Sequence, residues 1–200
     1  MWLSYGLAYL ILIGFFVIER FVRVGQTRDM SRDPSDRGST TIVSIVMGLA
    51  FILIPLSPLF DWLGVGAIGR APAWSATPAR LAVAGLGLVF GLAGLVVRYL
   101  ALTQLGRFFT RTLRQTDQHQ LVTTGVYRRL RHPGYLSDLL IFVGTALAMT
   151  NWMTAAIVLV SFIPAYLYRI GVEEQMLLAA FGQAYADYRR TSKRLLPGLW

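Results

Sequence analysis

The sequence contains no cysteine, only two histidines and few charged residues. Without cysteine the chain has no disulfide framework, no thiol nucleophile and no cysteine-ligated metal site. His119 and His132 have no companion ligands at a recognised metal spacing, so we expect no metal site. Charged residues make up 14% of the chain, whereas ordinary soluble domains carry about 25%. Together with 55% hydrophobic residues, this composition predicts an integral membrane protein.

Long apolar runs take the place of the missing charges. A helix needs about 20 apolar residues to cross the hydrocarbon core, and the runs predict about five transmembrane helices near residues 2–22, 41–63, 79–103, 135–149 and 152–168. Pro55 and Pro58 should kink or interrupt the second span. The last two spans are short and predict a tight hairpin around Thr150-Asn151. We therefore expect an all-α polytopic membrane protein with a cytosolic amphipathic helix after residue 168.

Basic residues are unevenly distributed, and the net charge is +9. They concentrate in the loops after the first and third spans and in the C-terminal tail, while the alternate connections hold only Arg70 and Arg80. The positive-inside rule then predicts an external N-terminus and a cytosolic C-terminus, with the first apolar run retained as a span. The same pattern favours membrane lipids over nucleic acid as partners. Because Arg greatly outnumbers the single lysine, we expect a prokaryotic cytoplasmic membrane.

The most unusual segment is 119–135, HQLVTTGVYRRLRHPGY, which lies between apolar runs. Proline and glycine interrupt a helix here, while Arg131 and His132 supply cationic and hydrogen-bonding groups. Irregular backbone at membrane depth is tolerated only where it lines a protein cavity. The segment therefore predicts a polar pocket at the membrane surface, although a single histidine could also be a local hydrogen-bonding residue.

Charged residues near the last span form a second candidate group. Arg169 and Glu173 are four residues apart, which places them on one face of a helix. This pattern is typical of a solvated ion pair, but it also suits a carboxylate that captures a ligand ammonium beside a guanidinium that orients an anionic substrate. Arg98 and Asp138 are further candidates within spans, and we favour a structural role for Arg98.

These strings resemble the isoprenylcysteine carboxyl methyltransferase family of integral-membrane enzymes, and more distantly the phospholipid N-methyltransferases. The similarity covers roughly the last hundred residues and rests on matching strings in the family's order: His119-x-Leu121-Val122, Gly125-x-Tyr127, Arg131-His132-Pro133-x-Tyr135, Glu173-Glu174, Phe181-Gly182 and Tyr185-x-x-Tyr188. One position departs from the family, since Ser137 stands where a glycine is common. This departure bears on helix packing or the acceptor tunnel.

The resemblance implies a single membrane-embedded methyltransferase domain over residues 1–200, with spans one and two in 1–78 and the catalytic core in 79–200. It implies S-adenosylmethionine as the methyl donor, S-adenosylhomocysteine as the product, and a catalytic Arg169 that faces the acceptor. The implied cofactor-binding residues are Arg114, His119, Gln120, Leu121, Val122, Tyr127, His132, Pro133, Gly134, Tyr135 and Glu173, of which Glu173 would hold the amino group.

The acceptor implied by the resemblance is lipid-like or a small apolar molecule, with a carboxylate as the methylated group. A carboxylate is ionised at neutral pH, so its methylation requires no general base, and no well-placed base is evident in the sequence. An amine or thiol acceptor would have to lose a proton, and it stays open as an alternative. A non-catalytic membrane assembly protein with the same fold is the third interpretation.

Overall fold

The computed structural model describes residues 2–22, 34–66, 77–106 and 121–195. These residues form six α-helices: α1 (Trp2–Phe21), α2 (Ser39–Trp62), α3 (Pro78–Leu105), α4 (Pro133–Ala148), α5 (Trp152–Phe181) and α6 (Gln183–Thr191). Two short 3-10 helices, Pro34–Asp36 and Gly125–Arg128, precede α2 and α4. The predicted all-α class is confirmed, and α2 runs without a break through both of its prolines.

Four helices, α1, α2, α3 and α5, are long and apolar enough to cross a membrane. The fifth predicted span, α4, is apolar but has only 16 residues. At 1.5 Å per residue it extends about 24 Å, which is less than the roughly 30 Å of the hydrocarbon core. By itself α4 is therefore shorter than a full crossing, and the Arg-His-Pro motif leads into it, with Pro133 as its first residue.

The boundary of the last span differs from the prediction. The apolar run ends near residue 168, but α5 continues without interruption to Phe181, and only the nine residues of α6 follow as a separate helix. No proline occurs between residue 168 and Gly182, and Gly182 ends the helix with a positive φ of 52°. The charged residues Arg169, Glu173 and Glu174 consequently belong to a membrane-length helix.

Glycines bring α3 and α4 into direct backbone contact. A Cβ on Gly87 would lie 2.5 Å from the carbonyl oxygen of Gly144, and one on Gly94 would lie 2.8 Å from the amide nitrogen of Ile141. A Cβ on Gly91 would instead meet Ile11 of α1 at 2.6 Å. The glycine face of α3 therefore packs inside the molecule, against α1 and α4.

A buried ion pair ties together the end of the bundle opposite the Arg-His-Pro motif. Arg80 at the start of α3 pairs with Asp61 near the end of α2, and both side chains are fully buried. The phenol of Tyr5 donates to Asp61 at 2.8 Å, and Arg80 donates to Thr150 at 3.3 Å. Thr150 lies in the turn between α4 and α5, as the predicted hairpin requires.

Candidate active site

The candidate site begins at the entry to α4. Pro133 occupies the first helical turn, where its missing N–H would have had no helical partner. Ahead of it, the backbone pairs with the tail that follows α6: the Arg131 N–H donates to the Lys193 carbonyl at 2.7 Å and the His132 N–H to the Arg194 carbonyl at 3.1 Å. The loop and the tail, which the sequence placed on one side of the membrane, are thus in contact.

His132 lies between two carboxylates of α5. Its Nδ1 is 3.5 Å from Glu173 Oε2 and its Nε2 is 3.4 Å from Glu174 Oε1. The residue is only 4% exposed. This burial would lower the pKa of His132, but the hydrogen bonds and charges of Glu173 and Glu174 raise it above its ordinary value. The two carboxylates therefore make the imidazole easier to protonate than that of a free histidine.

Both carboxylate oxygens of Glu174 accept hydrogen bonds from arginine side chains of the protein. Its Oε1 accepts from Arg131 Nε at 2.8 Å, and its Oε2 accepts from Arg194 Nη2 at 2.9 Å. The side chain is 5% exposed. Because Arg131 precedes α4 and Arg194 lies in the tail, this buried carboxylate fastens both segments to α5.

Glu173 differs from Glu174 because only one of its carboxylate oxygens accepts a hydrogen bond within the described part of the chain. Its side chain is 24% exposed, and its Oε2 accepts a hydrogen bond of 2.6 Å from the hydroxyl of Tyr135. Its other oxygen, Oε1, accepts no hydrogen bond from the described part of the chain. A partly exposed carboxylate that is held at one oxygen and open at the other suits a cationic ligand. Of the two adjacent acids, Glu173 is therefore the one able to bind a ligand group.

Arg169 reaches the same cluster through Tyr135. Its Nε donates to the Tyr135 hydroxyl at 2.9 Å, and that hydroxyl in turn donates to Glu173. Its Nη1 donates to Thr40 Oγ1 at 2.6 Å and lies 3.2 Å from an oxygen of Asp36. The four-residue spacing predicted that Arg169 and Glu173 share a face, and the structure joins them by one intervening phenol.

A stack of rings supports the cluster from within the bundle. The rings of His132 and Tyr135 are 5.6 Å apart with a 14° interplanar angle, and those of Tyr135 and Tyr166 are 5.1 Å apart with a 27° angle. The Tyr166 hydroxyl donates to Asp138 at 3.0 Å, and Asp138 Oδ1 lies 3.1 Å from Arg98 Nη1. Arg98 and Asp138 thus form an ion pair within the bundle, and the structural role favoured for Arg98 stays a prediction.

The structure brings some of the predicted site residues together, whereas others lie elsewhere or outside the described residues. His132, Tyr135, Arg169 and Glu173 are brought together, with Pro133 and Gly134 in the adjoining turn. The Tyr127 hydroxyl donates to the Ala101 carbonyl of α3 at 3.4 Å, so this side chain braces the loop against α3. Leu121 and Val122 are half-buried and outside regular secondary structure, and their role stays a prediction. Arg114, His119 and Gln120 lie outside the described residues.

Ser137, which departs from the family pattern, is accommodated within α4. It is fully buried, and its hydroxyl donates to the Gly134 carbonyl at 2.5 Å. The same carbonyl accepts from Arg98 Nη1 at 3.3 Å. The extra hydroxyl therefore has a partner inside its own helix.

Four residues of this cluster are not predicted from the sequence. Asp36, Ser39 and Thr40 contact Arg169 from a turn more than 120 residues earlier in the chain, and Tyr166 supports Tyr135. Asp36, Ser39 and Thr40 form a recognisable capping pattern just before an apolar run, but nothing in that pattern indicates Arg169 as a partner. Tyr166 could have been identified, because Tyr166, Arg169 and Glu173 recur at the i, i+3, i+7 spacing of one helical face.

Part of the chain is similar to a known protein family. Residues 86–179 match the Isoprenylcysteine carboxyl methyltransferase (ICMT) family. The chain is 38% identical over 117 residues to a probable protein-S-isoprenylcysteine O-methyltransferase of Oryza sativa, which covers 58% of this chain and 61% of the rice protein. It is 35% identical over 108 residues to protein-S-isoprenylcysteine O-methyltransferase A of Arabidopsis thaliana, which covers 53% of this chain and 55% of that protein.

A solved structure shows a similar fold. The eukaryotic intramembrane Ras methyltransferase ICMT matches with a TM-score of 0.59 and 25% sequence identity, over 76% of this chain and 52% of that chain. The chain thus spans about half to three-fifths of the length of the relatives it matches. The matched residues include α4, most of α5 and the whole Glu173–Tyr135–Arg169 cluster. Residues 86–179 of this chain are thus similar to the isoprenylcysteine carboxyl methyltransferase family.

Proposed function

We propose that this protein is an integral-membrane methyltransferase that transfers a methyl group from S-adenosylmethionine to the carboxylate of a lipid-like acceptor. The observation that carries the proposal is the linked set of Glu173, Tyr135 and Arg169 beside the buried His132. It places an open carboxylate next to a fixed guanidinium, as binding of a cationic donor and an anionic acceptor requires. The relatives are named as O-methyltransferases of S-isoprenylcysteine, which supports an S-prenylated cysteine as the acceptor class.

The donor set fits S-adenosylmethionine. Its amino-acid end carries an ammonium group, and Glu173 Oε1 is a carboxylate oxygen that no described donor engages. Its adenosine end needs apolar surface, and the half-buried Leu121 and Val122 are the candidates for that contact. When bound, the cofactor supplies an electrophilic methyl group on a positively charged sulfur. The remaining steps belong to the protein's own side chains.

Positioning accounts for most of the chemistry. Glu173 binds the ammonium end, and the hydrogen bond from Tyr135 fixes the orientation of that carboxylate. Arg169 is 4% exposed and held at both Nε and Nη1, so its guanidinium faces the site in one orientation. An acceptor carboxylate is already ionised at neutral pH and gives up no proton. Orienting two reactants in this way can supply about 7–11 kcal/mol of a barrier.

In the proposed membrane orientation, the site lies at the cytosolic face and the N-terminus lies outside. Arg80, one of only two arginines predicted on the opposite side, is fully buried and paired with Asp61. It therefore contributes no surface charge there, which sharpens the difference in basic residues between the two sides. A lipid-like acceptor could approach from the bilayer without leaving hydrocarbon. A prokaryotic cytoplasmic membrane remains part of the proposal.

The test uses the protein purified in detergent with isotope-labelled S-adenosylmethionine and N-acetyl-S-farnesylcysteine as acceptor. We expect labelled ester from the wild-type protein. Glu173→Gln removes a charge-assisted contact of about 1.5–3 kcal/mol, which corresponds to a rise of roughly tenfold or more in KM for the cofactor. Asp187→Asn is the matched control, because Asp187 is an acid of α6 with 58% of its side chain exposed, and it should change KM less than twofold.

Two results would overturn the assignment. If Glu173→Gln and Asp187→Asn had the same KM for the cofactor, Glu173 would not hold its ammonium group. If the wild-type protein methylated no carboxylate, amine or thiol probe and bound no S-adenosylhomocysteine by calorimetry, the enzyme proposal itself would be wrong.

A further inference from the structure

Asp36 contacts the candidate site from a part of the chain outside the segment that matches the family. It ends the 3-10 helix Pro34–Asp36, whereas the family match covers residues 86–179. Asp36 is only 2% exposed, although it is a charged residue at the start of a membrane-length helix. A buried carboxylate persists only where donors and counter-charge compensate its desolvation.

The compensation comes from α2 and from Arg169. Ser39 Oγ donates to Asp36 Oδ1 at 2.5 Å, and the Thr40 N–H donates to Oδ2 at 3.1 Å. Arg169 Nη1 lies 3.2 Å from Oδ1 and also donates to the hydroxyls of Ser39 and Thr40. The Asp36 carboxylate therefore contacts both the N-terminal end of α2 and the guanidinium of Arg169 in α5.

The turn that presents Asp36 is fixed on α5 at a second point. Arg37 and Gly38 both adopt positive φ, 49° and 76° respectively, which reverses the chain between the 3-10 helix and α2. The Tyr168 hydroxyl donates to the Arg37 carbonyl at 2.9 Å. Tyr168 and Arg169 are consecutive residues, so α5 contacts the turn through two neighbouring side chains.

We propose that Asp36 is a positioning residue for methyl transfer. It holds Nη1 of Arg169, so that Nε points at the Tyr135 hydroxyl and the guanidinium stays beside Glu173. Without this anchor Arg169 would lose the carboxylate beside its Nη1, and its guanidinium would be less firmly fixed. The inference rests on the proposed function, and it assigns the turn before α2 a part in positioning Arg169. A purely structural cap of α2 would stabilise that helix but would not act through Arg169.

A double-mutant cycle separates these two roles. The variants are Asp36→Asn, Arg169→Gln and the pair, each assayed for kcat and for cofactor KM with N-acetyl-S-farnesylcysteine. We expect Asp36→Asn to lower kcat by about tenfold or more, because a hydrogen bond to a charged group contributes about 1.5–3 kcal/mol. Cofactor KM should stay within about threefold, since Glu173 keeps His132 and Tyr135 as partners. Adding Asp36→Asn to Arg169→Gln should cost no further activity.

Asn151→Ala provides the matched control for lost capping. Asn151 is fully buried, and its side chain accepts the Thr154 N–H at 3.0 Å at the start of α5, at the other end of the bundle. This variant should lower thermal stability while the folded protein keeps the wild-type kcat. It shows what a lost cap does when no contact to Arg169 is involved.

Each possible result either supports or overturns the positioning role of Asp36. Losses of kcat that add in the double variant, or a kcat for Asp36→Asn equal to that of Asn151→Ala, would overturn the positioning role while leaving the methyltransferase proposal intact. A wild-type protein that transfers no methyl group would overturn the proposed function, and the role of Asp36 with it. Coupled losses in kcat, with cofactor KM unchanged, support the inference.

Discussion

Replacing Gly87 by alanine should separate α3 from α4. A Cβ at this position would lie 2.5 Å from the Gly144 carbonyl oxygen and 2.8 Å from the Leu147 carbonyl carbon, and it would also meet the Ala148 nitrogen. All three are backbone atoms of α4 or its C-terminal turn, so no side chain can rotate away. Carbon atoms pack best at about 3.5–4.0 Å, which means that the two helices would have to move apart by roughly 1 Å.

The cost of this movement can be compared with a second glycine of the same helix. Forcing one extra methyl group into a close-packed contact costs about 1–3 kcal/mol, occasionally more. Gly85 lies two residues earlier in α3, and a Cβ there would meet nothing within 4 Å. Both substitutions gain about 1 kcal/mol of helix propensity, so the difference between them isolates the steric term.

The measurement is thermal unfolding of both variants in detergent, followed by a fluorescent or chromatographic readout. For a chain of this length, a loss of 1 kcal/mol lowers Tm by about 2–4 °C. Gly87→Ala should therefore unfold several degrees below Gly85→Ala, and Gly85→Ala should equal or exceed the wild-type protein. Equal Tm values for the two variants would refute the internal packing of this glycine face, and a loss of self-association in Gly87→Ala would point to a dimer interface instead.

Two further predictions concern the charges around His132. Glu173 and Glu174 raise the pKa of His132 in the folded protein. The stabilisation from the protonated His132 is therefore complete below the ordinary pKa of about 6.5, and it is lost as pH rises through the higher folded pKa. His132→Gln should remove this part of the pH dependence of Tm. Glu174→Gln should loosen the tail, because it removes the carboxylate that pairs with the buried Arg131 and with Arg194. Such losses cost about 3–5 kcal/mol, and trypsin should cleave near residue 193 faster.

Controls for both predictions lie in α6. Asp187→Asn removes an exposed ion pair with Arg190, in which the side chains are 58% and 77% exposed. It should leave the rate of tail cleavage and the pH profile of Tm unchanged. A Glu174→Gln protein that resists trypsin as well as the wild type would contradict the clamp, and a His132→Gln protein with an unaltered pH profile would contradict the charged imidazole.

The helices could be predicted from the sequence because a membrane-length apolar run permits few alternatives. Apolar length gave α1, α2 and α3 to within about three residues, and Thr150-Asn151 gave the α4–α5 turn. The end of α5 could not be obtained this way. Arg169, Glu173 and Glu174 lower the hydropathy of the run, yet each finds a partner inside the protein, so the helix continues for 13 residues past the last apolar position predicted for it.

Within the candidate site, the predictable contacts are those between residues on one helix face or within one motif. The spacing of Arg169 and Glu173, and of His132 and Tyr135, was sufficient to group them. The contact of Arg169 with Asp36 spans 133 residues, and neither residue carries a pattern that indicates the other. What selects this contact is the shared need of two buried charges for compensation: an arginine and an aspartate that are each buried by apolar helices must find partners. Asp36 and Arg169 both lie just outside predicted spans, at residues 41–63 and 152–168. A list of charged residues within a few positions of the span ends, matched by sign and by membrane side, would therefore have included Asp36 among the possible partners of Arg169.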